Sequence, residues 1–352
     1  MNRRRFLALA ALGVTYPAWG INAWDYGIVP SGVDQSSAIQ ALINSTYGRL
    51  NFLGGTYVCA GLLGRSNIEI MTEGRGAVFQ NQTDTATITF NQKSRFSVGG
   101  GITFRGTTAA WPNQPMGGNQ HGLVLDGCNE FDFDDLKVAF LNGAGVYVLN
   151  SPIWGTVANA RKVVAENCIQ GIYCAPGAEY VKISQLTATM NHWGYRSDGG
   201  NQVLSDSWFI RNSTAVMFKG GTNNGHSVVA NCIADHNGTA FTTVNLDAGV
   251  ELSNFQALGD PTGPPIAGGI WLWNSKLVTW NGGQCGCWFI ADGRDPDNGM
   301  TVGTRNGPAV IQGVGFRTDY SGMSAPRAQN GGHTPILRGN IVASGSSAAY
   351  NN

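Results

Sequence analysis

The sequence predicts an all-β solenoid, a parallel β-helix with an N-terminal capping helix, and three observations support it. Charged residues make up only 12% of the chain and 50 of its 352 residues are glycine, which is typical of a turn-rich β protein. A polar turn followed by a short strand recurs in the middle of the chain. These strands alternate with a period of two, which excludes helical solenoids.

Five segments carry this repeat, each with an Asn followed three or four residues later by Gly or Ala and then a strand. The asparagines are Asn142, Asn167, Asn191, Asn212 and Asn237. Their spacing, in the low twenties, is too short for a propeller blade and suits one coil of a solenoid. Because stacked coils lie about 4.8 Å apart, we expect the Asn amides to form a ladder along one edge.

The segment from Asp34 to Asn44 has the pattern of a short amphipathic helix, with Asp34 or Ser36 as its N-cap. Such a helix can cover the apolar end of a solenoid. We therefore expect a leader over residues 1–20 and one β-helix domain over 21–352. Within that domain, residues from about 24 to 60 form the capping segment and residues from about 61 to 342 form the coils.

The N-terminus has the features of an export signal. Arg3, Arg4 and Arg5 precede a short apolar run, and small residues follow at cleavage spacing around Gly20. The run is too short to anchor the chain in a bilayer, and the arginines resemble a bacterial twin-arginine signal. We expect a secreted or periplasmic protein with no membrane association after processing; the alternative is a basic N-terminus that is retained.

Charge and cysteine content narrow the partners. The chain has 22 basic and 22 acidic residues, so it lacks the basic surface that nucleic-acid binding requires. Its seven cysteines have no metal-type spacing and fall in apolar stretches, which favours packing in the core. We predict no metal site from these residues.

Alternation within the repeat strands predicts which side chains face outward. The outward column contains Val124, Tyr147, Tyr173, Arg196, Met217, Thr242 and Trp271. We predict that Tyr147, Tyr173 and Trp271, with Trp193 and Lys219 beside them, bind sugars through flat rings and polar groups. The alternative is that the rings stack on one another between coils and stabilise the sheet without a ligand.

The start of the domain resembles the pectate-lyase-like superfamily of β-helix proteins. The resemblance is carried by Trp24-Asp-Tyr-Gly-Ile, Gly32-Val-Asp-Gln-Ser-Ser-Ala-Ile and Leu50-Asn-Phe-Leu-Gly-Gly-Thr-Tyr57. The proline usual before Gly-Thr-Tyr is replaced here by Leu53-Gly54. The resemblance implies a right-handed parallel β-helix with a polysaccharide as partner, since the superfamily includes secreted polysaccharide lyases, hydrolases and phage tailspikes.

Lyases of this superfamily use a basic residue to remove the proton alpha to a uronate carboxylate, and acidic groups to bind Ca²⁺. Arg196 matches such a base in type and face, with His192 in the turn before its strand and Asp198 after it. Asp198 has no second carboxylate in the adjacent coil, so Ca²⁺ is expected only if the protein is a lyase. Asp198 and Lys219 could instead form a cross-coil ion pair, and replacing an exposed Arg196 would cost within about 0.5 kcal/mol.

Hydrolases of the superfamily place paired Asp residues just before the equivalent strand, where this chain has small or neutral residues. Asp235 and His236 offer an acid beside a titratable group. We expect them two coils from Asp198, roughly 10 Å away, near the upper end of the carboxylate separation in inverting hydrolases. The alternative is a turn Asp that bonds to the backbone.

Three functions follow from these features. The first is a secreted polysaccharide lyase or glycoside hydrolase, which we expect to be monomeric. The second is a phage tailspike-like protein of the virion tail that binds or depolymerises a host surface polysaccharide as a homotrimer. The third is a non-catalytic β-helix with a binding or structural role.

Overall fold

The computed structural model describes residues 20–342 except 111, 114–116, 152–157, 221–225, 260–268, 277, 300, 306 and 317–325. The predicted leader lies outside the described residues except for Gly20. The described chain is almost entirely β-structure, and its parallel sheets build the predicted β-helix.

Eleven parallel strands stack one per coil to form one face of the solenoid, here called the site sheet. In chain order they are Leu62–Leu63, Ile88–Asn91, Leu123–Asp126, Ala144–Asn150, Gln170–Gly177, Trp193–Ser197, Thr214–Lys219, Thr239–Val244, Gly269–Trp273, Phe289–Asp292 and Arg327–Gln329.

Nineteen parallel strands form the remaining faces, here called the bent sheet because each coil turns a corner within it. In chain order they are Ile21–Asn22, Ser31–Asp34, Gly48–Val58, Ile68–Gln80, Ser94–Arg105, Asn129–Ala139, Ala158–Glu166, Val181–Ser184, Thr187–Thr189, Val203–Ser205, Trp208–Ile210, Ser227–Ala230, Ile233–Asp235, Val250–Leu258, Val278–Gly286, Val310–Gln312, Gly315–Phe316, Ile336–Arg338 and Ile341–Val342. Arg294–Asp295 and Thr301–Val302 form a separate antiparallel pair, and short 3₁₀ helices span Ala23–Tyr26 and Pro296–Asn298.

Residues with a left-handed backbone make the corners of each coil. In the coil that contains Arg196, Gln185 turns the bent sheet at φ 56° and Met190 leads into the site sheet at φ 56°. Arg211 and His236 occupy the Met190 position in the next two coils, at φ 54° each. Three short strands per coil therefore enclose the core.

The predicted capping helix is confirmed and spans Ser36–Ser45, but its N-cap is Gln35 rather than the predicted Asp34 or Ser36. The carboxylate of Asp34 accepts a hydrogen bond from the backbone N–H of Ser36 at 2.9 Å, which satisfies one of the free amides of the first turn. This bond and a second from the Ser36 hydroxyl lower the pKa of Asp34. Ile39 and Ile43 are fully buried, so the helix closes the core at this end.

The Asn ladder is confirmed over three coils. The Asn191 amide donates to Oδ1 of Asn212, and the Asn212 amide donates to Oδ1 of Asn237, both at 3.0 Å. All three side chains are buried. Each rung also bonds to backbone, so the ladder satisfies polar groups that would otherwise be stranded in the core.

The ladder prediction was wrong for the two earlier asparagines. The N–H of Cys168 donates to Oδ1 of Asn191 at 2.8 Å, so Cys168 rather than Asn167 occupies the ladder position. Asn167 makes the preceding corner at φ 52°, and Asn142 lies outside the ladder, where it donates to Asp84 at 3.3 Å and accepts from the N–H of Gln120 at 3.0 Å. An Asn suits a left-handed corner as well as a ladder, so spacing alone could not separate the two positions.

The Gly or Ala of each repeat has a steric cause. A Cβ at Gly194 would lie 2.7 Å from the carbonyl oxygen of Ala215, and one at Gly145 would lie 2.6 Å from that of Gly171. At Gly145 and Gly194 the next coil therefore approaches too closely for any side chain, whereas Ala215 and Ala240 occupy the same position in the coils that follow.

Apolar side chains fill the interior, as the alternation predicts. Tyr195, Phe218 and Phe241 are buried, with ring centroids 5.7 and 6.0 Å apart from coil to coil. All seven cysteines are buried free thiols. Among the described residues, no helix combines the length and apolar character needed to cross a membrane.

Candidate functional site

The outward column of the site sheet has the predicted register. Tyr147 pairs with Tyr173, Tyr173 with Arg196, and Arg196 with Met217. Met217 then pairs with Thr242, and Thr242 with Trp271. Period-two alternation thus placed this column correctly across six coils.

The aromatic rings in this column pack mainly on their neighbours. Tyr147 and Tyr173 are stacked at 5.0 Å with their planes 13° apart. The Arg196 guanidinium lies 4.9 Å from the ring centre of Tyr173 and 5.3 Å from that of Trp193. Cross-coil stacking therefore covers much of the ring faces, and the tyrosines offer edges and hydroxyls to a ligand.

Arg196, Asp198 and Tyr173 form a compact polar cluster on this face. Asp198 accepts two hydrogen bonds from Arg196, at 2.9 Å from Nε and 2.6 Å from a terminal nitrogen. The Tyr173 hydroxyl donates to the same carboxylate at 3.0 Å. The side chains of Arg196 and Asp198 are only 19% and 9% exposed, so the pair is shielded from water.

The environment of the cluster fixes its protonation. Burial by itself lowers the pKa of Arg196, but the hydrogen bonds and charge of Asp198 outweigh this and raise it overall. Burial raises the pKa of Tyr173 and of Tyr147, and Asp198 adds to both shifts. Arg196 is therefore a held cation rather than a proton acceptor, and both tyrosines keep their protons at neutral pH.

Two histidines lie just before strands of the site sheet. His192 packs edge-on against Trp193 with ring centroids 4.0 Å apart, and burial lowers its pKa. His121, which the sequence reasoning missed, lies 5.1 Å from the Tyr147 ring, and burial lowers its pKa too. Nδ1 of His121 accepts a hydrogen bond from the N–H of Ala144 at 2.8 Å, so its proton is on Nε2.

Trp193 lies between two grooves. One, of about 270 Å³, is lined by Gly117, Gly118, His121, Asn142, Gly143, Ile169, Gln170 and Trp193. The other, of about 370 Å³, is lined by Trp193, Thr214, Met217, Gly238, Thr239, Thr242, Val244, Trp271, Trp273 and Pro296. Together they extend over about seven coils, roughly 29 Å between the first and last strand at about 4.8 Å per step.

The suggested Asp198–Lys219 ion pair is replaced by two others. Asp198 is held by Arg196, and the ammonium of Lys219 pairs with Asp297 at 2.7 Å. Asp297 follows the site-sheet strand Phe289–Asp292 in the chain but lies beside Lys219 through the 3₁₀ helix Pro296–Asn298. The sequence could not reveal this contact because it joins residues 78 positions apart.

Asp235 and His236 lie away from the cluster. Asp235 ends a strand of the bent sheet, and His236 makes the corner that precedes the site sheet. Asp198 instead follows the end of its site-sheet strand, two coils away. Asp198 is therefore separated from Asp235 and His236 by the length of a strand, in addition to the roughly 10 Å between the coils. The expected separation of about 10 Å was therefore too short. His236 Nδ1 lies 2.7 Å from Asp235 Oδ1, and both side chains are exposed.

Solved structures with the same architecture come from polysaccharide enzymes and from a phage. The A-module of the mannuronan C-5 epimerase AlgE4 from Azotobacter vinelandii is similar with a TM-score of 0.68 at 14% identity, covering 91% of this chain and 95% of that chain. A polygalacturonase from Erwinia carotovora gives 0.56 at 9%, covering 90% and 98%. The N-terminal fragment of bacteriophage phi29 gene product 12 gives 0.56 at 12%, covering 97% and 73%.

The chain shares the parallel β-helix fold of these structures. No protein-family model and no curated protein matches the sequence. At sequence identities of 9–14% the similarity concerns the fold, and the chemistry depends on the residues of this chain.

On this β-helix, Asp126 and Asp198 are too far apart for a hydrolytic pair, whereas Asp295 and Asp297 both accept a hydrogen bond from the amide nitrogen of Asn245, at 2.7 and 3.0 Å. Asp198 follows a buried strand residue, and the positions paired with it in the neighbouring coils are Ala175 and Lys219. Asp126 occupies the equivalent position three coils away, roughly 14 Å at about 4.8 Å per coil. Inverting hydrolases place their carboxyl groups about 6.5–9.5 Å apart, and retaining ones closer.

The residues also fit a Ca²⁺ site poorly. The carboxylate of Asp198 is taken up by Arg196 and Tyr173, and a cation beside Arg196 would be repelled. Within the described ranges, no group of three or more His, Cys, Asp or Glu side chains is placed to hold a metal ion. Asp132 and Asp134, on the bent sheet, both lie 3.6 Å from the guanidinium of Arg161.

Proposed function

We propose that this protein binds an acidic polysaccharide along the site sheet and cleaves it by proton removal next to a uronate carboxylate, as a polysaccharide lyase. The observation that carries the proposal is the Arg196 cation, which Asp198 holds 5.3 Å from the ring centre of Trp193, the residue that lines both grooves and packs against His192. A guanidinium has five N–H donors and Asp198 uses two of Arg196's, so an edge remains for a substrate carboxylate. That carboxylate gains charge as the adjacent proton leaves, and Arg196 would stabilise it.

The protonation states suggest a different role in the reaction for each of these side chains. His192, neutral because burial lowers its pKa, would accept the proton from the carbon next to the carboxylate. The electron pair left behind forms the carbon–carbon double bond as the glycosidic oxygen departs. The hydroxyl of Tyr147 or Nε2–H of His121 would give that oxygen its proton. Lyase chemistry needs no carboxylate pair, and the cluster formed by Arg196, Asp198 and Tyr173 contains a single carboxylate, which favours a lyase over a hydrolase at this cluster.

An assay with polyuronates and neutral glycans tests this proposal. We expect absorbance near the unsaturated-uronate band to rise together with reducing ends on a polyuronate. His192→Gln should lower the rate at least ~100-fold, the usual scale for a general base. The control Trp208→Ala alters an exposed side chain of the bent sheet, 56% exposed, and should keep the wild-type rate. Reducing ends without absorbance would indicate hydrolysis and contradict the proposal.

The location of the protein belongs to the same proposal. The triple arginine and short apolar run support export to the periplasm or beyond, where a polysaccharide would be met. Expressed in a bacterium with both export routes, the mature chain should begin near Ile21. Recovery of the chain from the cytoplasm, still starting at Met1, would count against export.

A second candidate is a phage tailspike-like protein that binds or depolymerises a host surface glycan. The observation that favours it is the likeness to the phi29 fragment over 97% of this chain. The two candidates differ in assembly, so light scattering after gel filtration separates them. A monomer supports the secreted enzyme, and a trimer supports the tailspike-like protein. Glycan binding without turnover in every assay would support a non-catalytic role.

A further inference from the structure

The groove on the Trp271 side of Trp193 differs in character from the charged centre beside it. Its side chains are aromatic or aliphatic apart from three threonines. The hydroxyl of Thr242 already donates to the carbonyl oxygen of Trp271 at 2.8 Å. The groove therefore offers a mostly apolar surface with few free polar groups.

The charged side chains that border this groove are bound to one another. Lys219 pairs with Asp297 at 2.7 Å, and Arg294 pairs with the buried Asp292 at 2.8 Å. Asp292 also accepts hydrogen bonds from Gln329 and Asn330. Because these charges are compensated, the groove has little attraction for a sugar carboxylate.

Ring packing determines which part of a sugar the groove can accept. Trp271 and Trp273 are stacked at 4.8 Å with planes 6° apart, and the Arg294 guanidinium lies 5.3 Å from the Trp273 ring centre. The stacking covers one face of each ring, and Arg294 also lies over Trp273, which limits the ring surface open to a flat sugar. The ring edges and the thioether of Met217 suit a small methyl-bearing group.

We propose that this groove is a subsite for an uncharged sugar unit that carries a methyl group, as an O-acetyl ester or a 6-deoxy sugar does. The inference rests on the proposed glycan binding and adds its substrate class, a polymer in which uronate units lie near substituted units. The volume of about 370 Å³ accommodates a substituted sugar ring rather than a substituent alone. Trp193, which lines both grooves, makes the subsite continuous with the cluster at Arg196.

Binding of three polymers by calorimetry tests the subsite: a polymer that alternates uronate with O-acetylated neutral hexose units, the same polymer after de-O-acetylation, and a polymer that alternates uronate with 6-deoxyhexose units. We expect the acetylated form to bind at least about tenfold tighter than the de-O-acetylated form, the scale of a methyl group in an apolar pocket. The 6-deoxyhexose polymer shows whether the methyl group or the ester is recognised. Met217→Gln, similar in length but polar, should reduce the preference to within about threefold.

Trp208→Ala on the bent sheet is the matched control and should keep the full preference. Equal affinity for the acetylated and de-O-acetylated polymers, or binding of none of the three, would overturn the subsite. Turnover distinguishes failure of the subsite from failure of the lyase proposal. Cleavage next to uronates without tighter binding of the acetylated polymer would contradict the subsite only. Tighter binding of the acetylated polymer without cleavage would contradict the proposed lyase activity only.

Discussion

Arg196 has two roles, as half of a shielded ion pair and as the cation of the proposed site. Arg196→Ala should cut turnover at least ~100-fold, because it removes the group that stabilises developing charge. It should also destabilise the fold by roughly 2–3 kcal/mol, somewhat below the 3–5 kcal/mol for a fully buried pair because Arg196 keeps partial exposure. The sequence predicted an exposed Arg196 and a loss of stability within about 0.5 kcal/mol. That prediction was too small because strand alternation does not reveal the hydrogen bonds from Arg196 to Asp198. Thermal unfolding and turnover measure the two effects.

A double variant separates those two effects. Arg196→Ala with Asp198→Asn removes the stranded carboxylate charge, so much of the lost stability should return while turnover stays low. If activity returns with stability, Arg196 acts by holding the fold and the proposed charge stabilisation is wrong.

His121 connects pH with stability. Burial lowers its pKa in the folded state, so below about pH 6.5 the unfolded chain binds more protons than the folded one. The stability that the neutral His121 contributes is therefore fully present above about pH 6.5 and is lost as the pH falls toward its lowered pKa in the folded state. We expect the melting temperature to drop between pH 7 and 5, and His121→Gln, which does not titrate, to flatten that drop. An unchanged slope in the variant would contradict this.

At the scale of elements, the ladder couples neighbouring coils. Asn212 accepts bonds from the backbone and amide of Asn191 and donates to Asn237 and to the carbonyl of Ala188 at 2.9 Å. Asn212→Ala should cost about 3 kcal/mol, because each buried group left unpaired costs about 1–3 kcal/mol. Asn142→Ala, outside the ladder, should cost less than half as much. Equal losses in chemical denaturation would show that the ladder has no special role.

Strand register was predictable from the sequence because shifting a strand by one residue would expose its apolar side chains. That constraint placed Tyr147, Tyr173 and Arg196 in one column. Turns have no such constraint, since Asn167 at a corner and Asn191 in the ladder share the same local pattern. The positions of strands were therefore easier to predict than those of the turns between them.

At the scale of the molecule, the site depends on contacts between distant coils and loops. Asp297 reaches Lys219, which the outward column does not indicate, whereas Trp271 and Trp273 lie two residues apart on one strand and alternation places them on the same face. Asp235 and His236 were wrongly expected near Asp198 because only the number of coils between them was considered, and not their positions around the coil. His121 had a signal in the sequence, since it lies two residues before the apolar strand that starts with Leu123.

The capping helix tests whether the coils depend on their neighbours. In a solenoid each coil contacts mainly the next, so an uncovered end should lose structure before the rest. Ile43→Ala empties a fully buried site beneath the helix and should cost about 2–5 kcal/mol, with the N-terminal coils unfolding in a separate early transition. Val33→Ala, at a side chain 71% exposed, should change stability within about 0.5 kcal/mol. Hydrogen exchange by coil would follow the transition, and simultaneous loss of protection in all coils would show that the solenoid unfolds as one unit.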